Sequence, residues 1–360
     1  MSHLFDPFTI RGVTLRNRIA VSPMCEYTSV HGFANTWHVV HLGSRAVGGA
    51  GLVITEAAAV SPEGRITPSD LGIYCDEHIP ALGRIADFIH EQGATAGIQL
   101  AHAGRKASSA RPWDGGMPLV DGEERWDPLA PSAIAFHPDA TPPVAMSESD
   151  IVRVIADFEA AARRAVAAGF RMIEIHAAHG YLLHSFYSPL SNTRIDRYGG
   201  SFANRTRLTR EVLSMVRAAV PQSMPIFVRI SASDWADGGW TIEDSIALAR
   251  DLAPLGCDLI DASSGGLVLG QKITVGPSYQ VPFAARIRAE AKIPVGAVGM
   301  ITEAEQADGI VAQDKADIIL LARELLRDPY WPLHAAAKLG VDIAWPKQYE
   351  RAKPRPVRAT

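Results

Sequence analysis

The sequence predicts an α/β protein with the architecture of a TIM (β/α)8 barrel. Eight short apolar runs are spaced along the 360 residues, and none alternates with polar residues. Such runs are typical of strands buried on both faces in a parallel sheet. Segments with helical periodicity separate them, and eight strand–helix units in a chain of this length indicate a barrel. A doubly wound sheet is the alternative, but no G-x-G-x-x-G motif follows an early run.

Three of the helices between the strands are marked clearly. Helix 147–168 has apolar residues at steps of three and four, with Asp150 as its expected cap. Helix 241–255 opens at Thr241, and helix 302–313 opens at Thr302 with Glu305 completing a capping box. The predicted strands are residues 18–21, 52–54, 97–100, 172–175, 226–228, 259–260, 295–298 and 318–321.

A barrel uses about 250 residues, which leaves roughly 110 for additions. We expect a hairpin in residues 5–17 that caps the barrel floor and an excursion over residues 105–145 after the third strand. The predicted organisation is a single barrel over residues 1–345 and a C-terminal tail over residues 346–360 that could reach a neighbouring subunit.

Composition excludes several classes of protein. Hydrophobic residues make up 47% and charged residues 21%, which are values of a globular chain. A formal charge of -4 offers no support for a nucleic-acid or anionic-membrane partner. Three scattered cysteines are too few for a disulfide framework or a cysteine zinc site. No apolar run approaches a membrane span, and no signal peptide is visible, so we expect a cytoplasmic protein.

Catalytic groups of a barrel lie at the carboxyl ends of its strands. Gly299 and Arg323 follow strands 7 and 8, where backbone N–H groups and a guanidinium often bind phosphate. The alternative is that Gly299 only makes a turn and that Arg323 only pairs with Glu324 or Asp328.

Other strand ends leave two interpretations open. Arg229 either pairs with Asp261 or Glu174, or places a cation beside a flavin ring, where it stabilises the anionic reduced form. Gln99 suits a pyrimidine edge equally as well as a polar core position. Cys25 is either an inert core residue or a cofactor contact.

His176 and His179 stand at i and i+3 where strand 4 ends, and Tyr181 follows. Two imidazoles at such a place could bind zinc or iron in a metal-dependent hydrolase. The arginines nearby would repel a divalent ion, so we favour two N–H donors directed at an oxygen that becomes negative. A phenol with a pKa of about 10 is a proton donor at neutral pH, and it suits protonation of a carbon beside a carbonyl.

Six stretches of the sequence match the motifs of one known family, namely residues 17–25, 99–106, 176–183, 188–192, 196–201 and 323–329. Over about residues 4–351 the chain resembles that family, the Old Yellow Enzyme family of FMN-dependent ene-reductases. It is most similar to the bacterial thermophilic-like subclass, which includes NADPH dehydrogenase and xenobiotic reductase types. The alternatives are a different flavin barrel, such as a dienoyl-CoA reductase with its cysteine cluster, a metal-dependent hydrolase from another class, and a non-catalytic flavin or ligand carrier.

The resemblance implies that NADPH or NADH reduces FMN, which then reduces the C=C bond of an enone or nitroalkene. Tyr27, His176 and His179 are expected to bind the substrate, and Tyr181 to protonate it. Arg351 is expected to reach the site of a neighbouring subunit in a homodimer or homotetramer. No metal is expected. The residues implied to hold FMN are Ser22, Pro23, Met24, Cys25, Ala58, Gln99, Arg229, Val298, Gly299, Ala322 and Arg323.

Overall fold

The computed structural model describes residues 2–122, 124–138 and 140–354. Short strands and helices alternate through most of this length. In chain order they are β1 Phe8–Ile10, β2 Val13–Leu15, β3 Ile19–Val21, α1 Thr36–Val47, β4 Leu52–Ala59, α2 Ile79–Glu91, β5 Thr95–Ala101, β6 Leu129–Ala130, β7 Val144–Ala145, α3 Glu148–Ala167, β8 Met172–Ala177, α4 Leu182–Tyr187, α5 Phe202–Arg205, α6 Arg207–Ala219, β9 Ile226–Ser231, α7 Ile242–Leu252, β10 Leu259–Ser263, α8 Val281–Ala291, β11 Val295–Ala297, α9 Ala304–Ala312, β12 Ile318–Leu321, α10 Arg323–Arg327 and α11 Trp331–Lys338.

Eight parallel strands close into a barrel in the order β10-β11-β12-β3-β4-β5-β8-β9. Each of them coincides with one of the eight apolar runs, so the predicted TIM barrel is confirmed. The strand residues are buried throughout because helices cover the outer face and side chains fill the interior.

Two additions sit on this barrel as expected. Strands β1 and β2 form an antiparallel hairpin whose Ile10 and Leu15 pack with Ala20 and Leu52 of the barrel interior, which closes the floor. The excursion between β5 and α3 contains the short parallel pair β6 and β7. No helix among the described residues is long and apolar enough to cross a membrane.

Two predicted helix caps are wrong by position. Ser147, not Asp150, is the N-cap of α3, and the Asp150 carboxylate returns to the Ser147 N–H as the other half of a capping box. Helix α9 begins at Ala304 after Glu303. The Gln306 amide oxygen accepts the N–H groups of both Thr302 and Glu303, which moves the first turn beyond Thr302. Thr241 caps α7 as predicted.

Candidate functional site

A cavity of about 260 Å³ opens at the carboxyl ends of the barrel strands. It brings together most of the side chains that the sequence placed at those ends. Its walls are Ser22, Pro23, Cys25, Tyr27, Ala57, Gln99, His176, His179, Tyr181, Arg229 and Ala322.

A second cavity, of about 270 Å³, adjoins the first, because Ala322 lines both. Its walls include Val298, Gly299 and Arg323, the residues predicted at strands 7 and 8. Sequence reasoning missed Ser263 and Gln280, which also line it. Ser263 ends β10, so its place at a strand end was the signal that could have identified it.

Arg323 is exposed at the rim of the second cavity. Among the described residues, Glu324 pairs with Arg327, and Asp328 pairs with His334 at 2.6 Å. Neither carboxylate forms the ion pair with Arg323 that was the alternative to phosphate binding. The guanidinium is therefore available to a ligand.

His176, His179 and Tyr181 form one aromatic cluster in the first cavity. The ring centroid of His176 lies 5.2 Å from that of His179 and 5.0 Å from that of Tyr181, with both contacts edge-to-face. Nδ1 of His176 is buried and has no hydrogen-bond partner among the described residues. Nε2 of His179 lies 2.7 Å from Oγ of Ser263.

The surroundings fix the protonation states of these three groups. Burial, then the charge of Arg229, holds the pKa of both imidazoles well below the ordinary value of 6.5. Burial also raises the pKa of Tyr181 well above 10.0. At neutral pH the site therefore holds two neutral imidazoles beside a protonated phenol.

Two residues that line the first cavity have strained backbone conformations. Tyr27 and His179 both have left-handed backbone angles, with φ of +51° and +59°, which non-glycine residues rarely adopt. Nζ of Lys106 donates to the carbonyl of His179 at 2.8 Å and to that of Gly266. Lys106 lies in the turn Gly104–Lys106 after β5, and sequence reasoning gave it no role.

Charged and polar side chains line the base of the first cavity. Nε of Arg229 lies 3.1 Å from Oδ2 of Asp261, so the ion pair considered from sequence is present while Arg229 also lines the cavity. Gln99 also has both features, since its Nε2 donates to Oε1 of Glu174 at 2.8 Å.

Three predicted site residues do not line either cavity. Met24 is half-buried against the outer core, and Arg351 is exposed in the turn Lys347–Ala352. Ala58 packs in the core between the barrel and its helices, while Ala57 lines the cavity. The register of β4 shifts between Ile54 and Ala57, and a bulge there exchanges the faces of the residues that follow.

Two details bear on the remaining alternatives. Burial, followed by the charges of Asp70 and Glu56, raises the pKa of the Cys25 thiol well above 9.0, so Cys25 is a neutral thiol at the cavity wall.

A metal site needs ligands beyond His176 and His179. Within residues 2–122, 124–138 and 140–354, no group of three or more His, Cys, Asp or Glu side chains could hold an ion.

Residues 3–341 match the family described as the NADH:flavin oxidoreductase / NADH oxidase family. Over 350 residues the chain is 50% identical to an NADPH dehydrogenase of Geobacillus sp. (strain WCH70), covering 97% of this chain and 98% of that protein. It is likewise 49% identical to an NADPH dehydrogenase of Bacillus subtilis (strain 168), with the same coverage.

Among solved structures, a 2-naphthoyl-CoA reductase complex superposes with a TM-score of 0.84 at 26% identity, covering 94% of this chain. The chain spans about half of that protein, 52% of its length. Morphinone reductase superposes with a TM-score of 0.79 at 26% identity, covering 96% of this chain and 92% of its own.

Proposed function

We propose that this chain, which belongs to the NADH:flavin oxidoreductase / NADH oxidase family, reduces activated C=C bonds. That family is the Old Yellow Enzyme family. The chain is an FMN-dependent oxidoreductase that takes electrons from NADPH or NADH. The proposed substrates are α,β-unsaturated carbonyl and nitro compounds. The observation that carries this proposal is the meeting of His176, His179 and Tyr181 in one cavity at the barrel mouth.

The chemistry of the two adjoining cavities fits FMN. Oγ of Ser22 is buried in the wall of the first without a hydrogen-bond partner among the described residues, so it has a donor to offer. Arg229 supplies a cation for the flavin ring, and Arg323 supplies one for the phosphate. The cavity residues that would hold FMN are Ser22, Pro23, Cys25, Gln99, Arg229, Val298, Gly299, Ala322 and Arg323, whereas Met24 and Ala58, which were also predicted, line neither cavity.

When bound in its reduced form, FMN would supply the hydride for the β-carbon of the alkene. His176 and His179 bind the carbonyl or nitro oxygen of the substrate and stabilise the negative charge that develops there. Their lowered pKa values matter because both imidazoles are neutral at pH 7, where each donates one N–H without a change of protonation state. Tyr27 lines the same cavity and would contact the substrate from the loop after β3.

Tyr181 completes the reaction by donating its phenolic proton to the α-carbon. Its ring packs edge-on against His176, so the donor lies beside the group that holds the oxygen. The raised pKa of Tyr181 keeps the proton in place until the carbanion-like carbon accepts it.

The test separates the two half-reactions of the FMN-loaded protein under anaerobic conditions. Tyr181→Phe should slow flavin reoxidation by cyclohexenone by about 10² to 10⁴, the usual contribution of a general acid, while flavin reduction by NADPH slows less. Tyr74→Phe, which makes the same change outside both cavities, serves as the matched control. Equal slowing of both half-reactions by Tyr181→Phe would contradict the proposed role.

We further propose that residues 1–345 act as one FMN-binding barrel and residues 346–360 as an arm between subunits of a homodimer or homotetramer. Arg351 is exposed on its own chain and outside its own cavity, which supports a contact with a neighbour's substrate. Residues 355–360 lie outside the described part. Arg351→Ala should raise KM for cyclohexenone in the intact oligomer, and an unchanged KM would contradict the proposed contact.

All three cysteines are unpaired, which supports a cytoplasmic location.

A further inference from the structure

The turn that carries His179 and Tyr181 is held from behind by a buried pair, His184 and Asp234. His179 and Gly180 both have left-handed backbone angles, with φ of +59° and +75°. The Gly180 peptide therefore decides how the imidazole before it and the phenol after it are directed.

Both polar groups of Gly180 are bound by side chains of α4. Its N–H donates to Nδ1 of His184 at 2.9 Å, and its carbonyl accepts from Oγ of Ser185 at 2.9 Å. On its other side, a Cβ added to Gly180 would stand 2.3 Å from the carbonyl oxygen of Gly266. The turn is thus confined between α4 and the loop after β10.

Asp234 fixes the tautomer of His184. Its Oδ1 accepts from Nε2 of His184 at 2.7 Å, and its Oδ2 accepts from Oγ of Ser188 at 2.6 Å and from the N–H of Trp240 at 2.8 Å. Both partners of the pair are completely buried. With the proton held on Nε2, Nδ1 of His184 keeps the lone pair that Gly180 N–H requires.

We propose that Asp234 and His184 are positioning residues, which hold His179 and Tyr181 in the geometry for alkene reduction through the Gly180 N–H. Neither lines the first cavity, so they act on it through the turn. The inference rests on the proposed roles of His179 and Tyr181.

Asp234→Asn is expected to move the proton of His184 from Nε2 to Nδ1. Two donors, Ser188 and Trp240, meet one carboxylate oxygen, so the amide oxygen takes that place and the amide N–H faces His184. His184 must then carry its proton on Nδ1, where it opposes the N–H of Gly180. Ser188→Ala removes a hydrogen bond from the same carboxylate and leaves the tautomer unchanged, which makes it the matched control.

The experiment uses the full-length, FMN-loaded protein with cyclohexenone as the probe. We expect Asp234→Asn to slow flavin reoxidation about 10- to 100-fold, the effect of a small misplacement of reacting groups, and Ser188→Ala to stay within twofold of wild type. A second readout is amide hydrogen exchange by mass spectrometry. The peptide containing Gly180 should exchange faster in Asp234→Asn and at the wild-type rate in Ser188→Ala.

His184 variants decide the matter if Asp234→Asn does not fold. His184→Asn retains a side-chain acceptor and should react about tenfold faster than His184→Ala; equal rates would overturn the inference. It is also overturned if Asp234→Asn and Ser188→Ala lose activity equally, or if Asp234→Asn folds and reacts like wild type. If Tyr181→Phe itself leaves alkene reduction unchanged, the proposed function fails instead.

Discussion

Glu174→Gln tests the electrostatics beneath the candidate site. Glu174 is completely buried in β8, where one oxygen accepts from Gln99 and the other has no hydrogen-bond partner among the described residues. Asp261 and Arg229 complete the group, so two carboxyls face one guanidinium. Burial, then the charge of Asp261, raises the pKa of Glu174 from 4.5 to about 8. At pH 7 the carboxyl of Glu174 therefore holds a proton.

This shift determines how stability depends on pH. Between the ordinary value of 4.5 and about 8 the unfolded chain releases a proton that the folded chain keeps, so the free energy of unfolding falls as pH rises. The slope is at most about 1.4 kcal/mol per pH unit, which amounts to on the order of 4 kcal/mol over the window. Glu174→Gln keeps a neutral amide in place of the neutral carboxyl and lacks this titration.

Urea unfolding at saturating FMN, followed from pH 5 to pH 8, measures the difference. The unfolding free energy of Glu174→Gln should rise relative to wild type as pH increases, and the two should converge near pH 5. Glu91→Gln, at an exposed helix end, should run parallel to wild type. A Glu174→Gln curve parallel to wild type, or one that falls behind it with rising pH, would refute a protonated Glu174.

Two further variants test the groups that bind the substrate oxygen. His176→Ala should slow alkene reduction by about 10² to 10³, the usual effect of losing one donor at a developing oxyanion. His176→Asn keeps an N–H and should recover part of the loss. An unchanged rate of flavin reoxidation for His176→Ala in stopped-flow experiments would refute the role of His176. Lys106→Met removes the donor to the carbonyls of His179 and Gly266 and should slow the same step about tenfold. Lys315→Met, at an exposed position, is the control and should not slow it. Equal rates for the two lysine variants would show that the contact of Lys106 with His179 does not affect alkene reduction.

Much of this molecule could be predicted from local sequence, because its information is local. Short runs rich in Val, Ile and Leu are typical of strands buried on both faces, so the eight runs predicted parallel strands, and their number predicted the barrel. Since the carboxyl ends of parallel strands meet at one edge, His176, Gln99 and Arg229 could be placed at a common site without knowing any distance. The sequence motifs predicted the Old Yellow Enzyme family, and the family match over residues 3–341 confirmed it.

What only the tertiary structure decided is which partner each polar group meets. The bulge in β4 turns Ala57 rather than Ala58 to the cavity, and bulges leave no mark in an apolar run. The contact of Lys106 with Gly266 and the pair of His184 with Asp234 join residues 160 and 50 positions apart. Sequence periodicity reports which face of an element is buried, but hydrogen bonds between distant strand ends depend on how the closed barrel brings those ends together.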